Sequence, residues 1–241
     1  MDSAKYISKV MFKGELDRWS YLSKIPAVKY LVEFGELSFS SNITFLVGEN
    51  GTGKSTLLEA IAVACGFNAE GGTKNFMFST QDTHSDLHEH LTIVKRGYPK
   101  DGFFLRAESF YNAASYIDNF PDLSYGKMDM HEQSHGESFL SLVQNRFGGN
   151  GLYLLDEPEC ALSTQRLFVL MQEIHELAKN GSQFIIATHS PILMSIPNSD
   201  VFELSANGIN KVEFKQTEQY RLNKLFYENP ERMIHLLFDE K

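Results

Sequence analysis

The stretch Gly48-Glu49-Asn50-Gly51-Thr52-Gly53-Lys54-Ser55-Thr56 carries the most specific chemistry in this 241-residue sequence. It fits G-x-x-x-x-G-K-[ST], the phosphate-binding loop. Glycines at these positions let the backbone curl until successive N–H groups point into one concavity, and a helix opening at Lys54 adds the positive end of its dipole. Lys54 supplies a mobile charge, and the Ser55 hydroxyl is a ligand type that Mg²⁺ accepts. Asn50, Gly51, Thr52, Gly53, Lys54, Ser55 and Thr56 are therefore the expected grip on a nucleoside triphosphate.

Three later groups of residues have types that fit the same chemistry. Asp156 and Glu157 follow the apolar run Leu152-Tyr153-Leu154-Leu155. Neighbours on a strand point apart, so the two should differ in role: Asp156 toward Mg²⁺, Glu157 as the base that orients or deprotonates water. His189 ends another apolar run, where a neutral imidazole can hydrogen-bond a γ-phosphate or the attacking water. Ser134-His135-Gly136-Glu137-Ser138 reads as a capping box, with Ser134 as N-cap and Glu137 at N3, opening a helix whose free N–H groups suit a phosphate.

These residues need a scaffold that brings distant segments to one edge, and the apolar pattern predicts one. Residues 43–47, 102–106, 152–155 and 184–188 are short apolar runs with little polar alternation, as in parallel strands covered on both faces. Helices are expected over 54–65 with a stop at Gly66, from Ser134 through Phe139, Leu142, Val143 and Phe147, and over Thr164–Lys179 with a stop at Gly181. In such a sheet ligands bind at the carboxyl ends of strands, which is where the phosphate loop, Asp156, Glu157 and His189 would meet. Residues 201–204 and 211–214 read as a hairpin turning through Asn207-Gly208, followed by helical stretches over 220–227 and, capped by Asn229 with Pro230 at N1, over 231–238.

Other stretches carry weaker signals. Residues 6–39 read as a small antiparallel lead-in with strands at 7–12 and 27–34 and a turn around Pro26. Residues 67–101 are polar and crowd His84, His88 and His90 among Asp82, Asp86 and Glu89. With no Cys in the set, this reads as a solvated loop and helix face rather than a metal site. An aromatic helical stretch to Phe120 and a loop over 121–130 complete the region before Ser134.

The composition sets outer bounds. At 241 residues with 42% hydrophobic content, the chain fits one large α/β domain. A net charge of -9 leaves no global basic footprint, so nucleic-acid binding would need a local patch or a partner. Cys65 and Cys160 read as two reduced thiols of a cytoplasmic protein. The charged N-terminus is not a signal peptide, and no run approaches the ~20 apolar residues of a membrane span.

A phosphate loop, a Ser-x-Gly-Glu-Ser helix start, an apolar run with Asp-Glu and a strand ending in Thr-His, in that order, resemble the ATPases of the ATP-binding-cassette (ABC) type. Within that superfamily the sequence looks most like the stand-alone, non-transporter ATPases related to RecF, SMC and OLD proteins. The resemblance implies a P-loop fold with a mostly parallel central sheet flanked by helices, the antiparallel lead-in, and a helical insert and signature subregion over about 67–147. It implies ATP and Mg²⁺ as ligands, with Lys54, Glu157 and His189 catalytic and Ser55, Asp156 and the Q-loop glutamine Gln81 around the metal. Ser134, Gly136 and Glu137 would form the signature that caps ATP on a second subunit, in an ATP-dependent homodimer that drives a partner protein in DNA maintenance or defence. His135 stands where many members have Gly, and Ser163 where the D-loop Asp is common. Trp19, Tyr21 and Tyr30 are the candidates for adenine stacking. Two other functions compete: an energy-supplying subunit of a membrane transporter, and a phosphate-loop kinase, which shares only the first motif.

Overall fold

The computed structural model describes residues 6–73, 85–106 and 135–238. In chain order its strands are β1 (Ile7–Phe12), β2 (Glu36–Ser38), β3 (Ile43–Gly48), β4 (Leu91–Lys95), β5 (Asp101–Arg106), β6 (Gly151–Asp156), β7 (Gln183–Ala187), β8 (Asp200–Ser205) and β9 (Gly208–Val212). The helices used below are α1 (Pro26–Phe34), α2 (Lys54–Ala64), α3 (His135–Arg146), α4 (Thr164–Lys179), α5 (Glu218–Glu228) and α6 (Pro230–Phe238).

The central sheet has the order β5-β6-β7-β3-β8-β9, parallel except for the β8–β9 hairpin. β3, β5, β6 and β7 are buried on both faces, which is why their sequences show no polar alternation. Alternate residues feed two cores. Leu46, Leu154 and Ile185 pack on one side with α1 and α2. Phe45, Val47, Tyr153, Leu155 and Ile186 pack on the other with α3 and α4, including the predicted Phe139, Leu142, Val143 and Phe147.

A second sheet, β2-β1-β4, is antiparallel and forms the expected lead-in. Gln183, fully buried at the start of β7, joins the two sheets: its Oε1 accepts from the N–H groups of Tyr6 and Ile7, and its Nε2 donates to the Ile7 carbonyl.

Two expectations are corrected. Residues 27–34 are helical, not a strand: Pro26 occupies N1, Ala27, Val28 and Leu31 share the buried face, and Gly35 closes the helix at φ 79°. Within 67–101, residues Leu91–Lys95 are the strand β4, whose β-branched run Thr92-Ile93-Val94 suits its pairing with β1. The neighbouring histidines are structural. His90 stacks on Phe12, and His88 Nδ1 lies 3.1 Å from the Ser85 carbonyl oxygen. His84, Gln81, Ser134 and the stretches over 107–120 and 121–130 lie outside the described residues. Cys65 is buried and Cys160 exposed, and both are thiols.

Candidate nucleotide site

β3 runs directly into the phosphate loop, and α2 leaves it. The loop closes on two left-handed glycines that tolerate no side chain. A Cβ on Gly48 (φ 136°) would stand 2.1 Å from the Leu204 carbonyl oxygen, and one on Gly53 (φ 98°) 2.3 Å from Ile25 Cγ2. The start of α1 packs here, with Ala27 N–H donating to the Thr52 carbonyl. The helix misread as a strand thus buttresses the loop.

Lys54 is buried, and its ammonium donates to the carbonyls of Gly48 (2.9 Å) and Glu49 (3.0 Å). Burial pushes its pKa below the ordinary lysine value, while Glu157, Asp156, Glu159 and Glu49 favour its charged form. So many carboxylates around one lysine make an anionic setting, whose charge a divalent cation would offset.

The sheet register carries Asp156 to the same edge. Asp156 pairs with Ala187, and Ala187 pairs with Leu46, two residues before the end of β3. Ser55 Oγ donates to Asp156 Oδ1 at 2.9 Å. A hydroxyl and a carboxylate in contact beside the lysine are a hard-oxygen donor pair that fits Mg²⁺. The other Asp156 oxygen lies 3.8 Å from Arg106 Nε, and Arg106 donates at 2.7 Å to Glu59 of α2. Arg106 therefore orients both carboxylates. The strand end in which it sits was legible in the sequence, but its partner Glu59, 47 positions away, was not.

Glu157 leaves β6 in the left-handed region, at φ 50° and ψ 51°, with its N–H donating to the Ala187 carbonyl. This conformation is uncommon for a side chain of its kind and turns the carboxylate out of the strand alternation. Its Oε1 lies 3.6 Å from His189 Nε2. His189 is held from two sides: its backbone N–H donates to Glu159 Oε1, and its Nδ1 meets Gln219 Nε2 at 2.8 Å. Glu159 and Gln219 carried no signal in the sequence.

A P-loop after β3 with a carboxylate at the end of β6, one strand beyond β7, on a parallel sheet of this order, decides the architecture. The fold is that of the ABC-type P-loop ATPases. Two family models match: residues 28–111 match one described as an AAA domain, and residues 138–195 match one described as "AAA domain, putative AbiEii toxin, Type IV TA system". The first match contains the phosphate loop; the second contains Asp156, Glu157 and His189. A chain of the structure described as "an inward-facing conformation of a putative metal-chelate type ABC transporter" is 17% identical, with 93% of this chain and 89% of that one covered, at a TM-score of 0.50. Similar in extent are CbiO1 from Clostridium perfringens (16% identity, 97% and 99% covered, TM-score 0.49) and the SMC head domain from Thermotoga maritima (17%, 86% and 99%, TM-score 0.47). No curated protein matches the chain.

Within this ATPase fold, the remaining candidates are placed as follows. Glu137, in the first turn of α3, pairs with Arg166 of α4 at 2.8 Å, so it ties the helix expected to bear the signature to its neighbour. Ser163 is the N-cap residue of α4 and makes no side-chain cap bond. Tyr30 packs against Phe34, whereas Trp19 and Tyr21 are exposed in the segment leading to the phosphate loop. Among the described residues, no helix is long and apolar enough to cross a membrane.

Proposed function

We propose that this ATPase domain binds ATP with Mg²⁺ and hydrolyses it, and that two copies close over the nucleotide to drive a partner protein. The observation that carries this reading is the convergence of Lys54, Ser55, Asp156, Glu157 and His189 at one sheet edge. The amides of residues 50–56 and Lys54 hold the phosphates. Ser55 and Asp156, with Gln81, would hold Mg²⁺, which would offset the negative charge of the β- and γ-phosphates. Glu157 takes a proton from water as the water oxygen attacks the γ-phosphorus, and the bond to the bridging oxygen breaks to leave ADP and phosphate. His189 steadies the γ-phosphate and the water.

Ser134, Gly136 and Glu137 act on the nucleotide of a second copy, where N–H groups at a helix start complete the phosphate shell. The partner belongs to DNA maintenance or to defence against phage. The match of residues 138–195 to a family described by a toxin of a type IV toxin–antitoxin system supports defence. Direct contact with nucleic acid would need a local basic patch, since the net charge is -9. The likeness to a transporter chain favours a rival, the energy-supplying subunit of a membrane transporter. Co-purification with an integral membrane protein would select that rival.

The dimer is tested with Glu157→Gln, which removes the base and keeps the side-chain volume. Light scattering should show a dimer in ATP and Mg²⁺ and a monomer without nucleotide. A variant that binds ATP and remains monomeric would refute the closure of two copies.

A further inference from the structure

The imidazole of His189 is gripped by a residue from the C-terminal helices, a region that otherwise has no part in the site. Gln219 Nε2 and His189 Nδ1 are 2.8 Å apart and 30 positions apart in sequence. The other ring nitrogen, Nε2, is closed off from solvent, makes no hydrogen bond and lies 3.6 Å from Glu157 Oε1.

For the neutral ring these distances choose a tautomer. With Gln219 Nε2 as donor, His189 Nδ1 is the acceptor and the ring proton sits on Nε2, directed toward the anionic Glu157. The reverse amide orientation would put the proton on Nδ1, leaving the Nε2 lone pair to face a carboxylate oxygen. Like-signed lone pairs at that range disfavour it.

Gln219 itself is firmly placed. It lies in the first turn of α5, whose N-cap, Thr217, is fully buried; the Thr217 hydroxyl donates to the Phe214 carbonyl and accepts from Tyr220 N–H. The next amide, Glu218 N–H, donates to Glu203 of β8 at 2.7 Å. The Tyr220 ring packs edge-on against Phe214. The start of α5 is thus fastened to the central sheet, although α5 buries no side chain of its own.

We infer that Gln219 is a positioning residue for hydrolysis: it holds His189 in the Nε2–H tautomer, so that a donor faces Glu157 and the γ-phosphate. This inference rests on the hydrolytic reading above for its kinetic consequence but not for its structural one. It also makes the C-terminal helices part of the catalytic unit, since any displacement of α5 releases the His189 ring.

The test uses the full chain and two readouts. In the nucleotide-free protein, ¹⁵N-histidine NMR reports which ring nitrogen carries the proton, with the His189 signals identified by their loss in His189→Gln. Wild type should show Nδ1 bare and Nε2 protonated, and Gln219→Glu, which can only accept, should move the proton to Nδ1. In steady-state ATP turnover, Gln219→Glu and Gln219→Leu should lower kcat on the order of tenfold with KM little changed. A wild-type ring protonated on Nδ1, or turnover unaltered in both variants, would overturn the proposal. If wild type has the predicted tautomer but no ATP turnover, the hydrolytic reading fails and the kinetic role of Gln219 falls with it.

Discussion

Asp156 Oδ1 accepts a 2.9 Å hydrogen bond from the hydroxyl of Ser55, a residue 101 positions earlier in the chain. Parallel pairing of β3, β7 and β6 brings the two together, and the second Asp156 oxygen faces Arg106. The hydroxyl and the guanidinium lie on the sides of the carboxylate for which a cation would compete.

If Ser55 and Asp156 hold Mg²⁺, ATP affinity in wild type should fall when the metal is chelated. Asp156→Asn should lower the affinity in Mg²⁺ by about tenfold and leave little further loss on chelation. Titration calorimetry with and without chelator measures both. Equal metal dependence in the variant and wild type would place the cation elsewhere.

The left-handed backbone of Glu157 predicts a separable effect on stability. Glycine adopts φ 50° freely, whereas alanine carries the Cβ penalty, so Glu157→Gly should be more stable than Glu157→Ala by ~1 kcal/mol. Denaturant unfolding compares them. Equal midpoints would mean that the backbone at this position is unstrained.

Asp200 sets a pH dependence. Burial pushes its carboxyl up, but hydrogen bonds from Lys211 and Ser40 outweigh burial and hold its pKa below the ordinary 3.8. The unfolded chain therefore takes up this proton at a higher pH than the folded one. The stability Asp200 adds is complete above 3.8 and is lost as pH falls through the folded value. Lys211 is half exposed, which limits the pair to ~1 kcal/mol. Thermal unfolding of Asp200→Asn should show this deficit at neutral pH and a shrinking one below about pH 4.

Much of this arrangement was readable from the sequence because its signals are local. The phosphate loop is a contiguous motif, and β6, β7 and α4 announce themselves by unbroken apolar runs or clean periodicity. What escaped depends on contacts across the chain. β4 is a short β-branched run set among charged residues, and its pairing with β1 is not written locally. In α1, β-branched and aromatic residues over 27–34 resemble a strand, although Pro26 and Gly35 marked both helix ends. Gln219 is one polar residue on a helix that shows no chemistry until the fold lays it against His189. Nor could strand alternation foretell the direction of Glu157, because the chain turns left-handed at that residue.

The central claim is that Glu157 activates the attacking water. Single-turnover hydrolysis of ATP by wild type and Glu157→Gln, each saturated with ATP and Mg²⁺, tests it most directly. The variant should bind ATP as wild type does and hydrolyse it at least ~100-fold more slowly. Hydrolysis at the wild-type rate with Gln at position 157 would contradict the account.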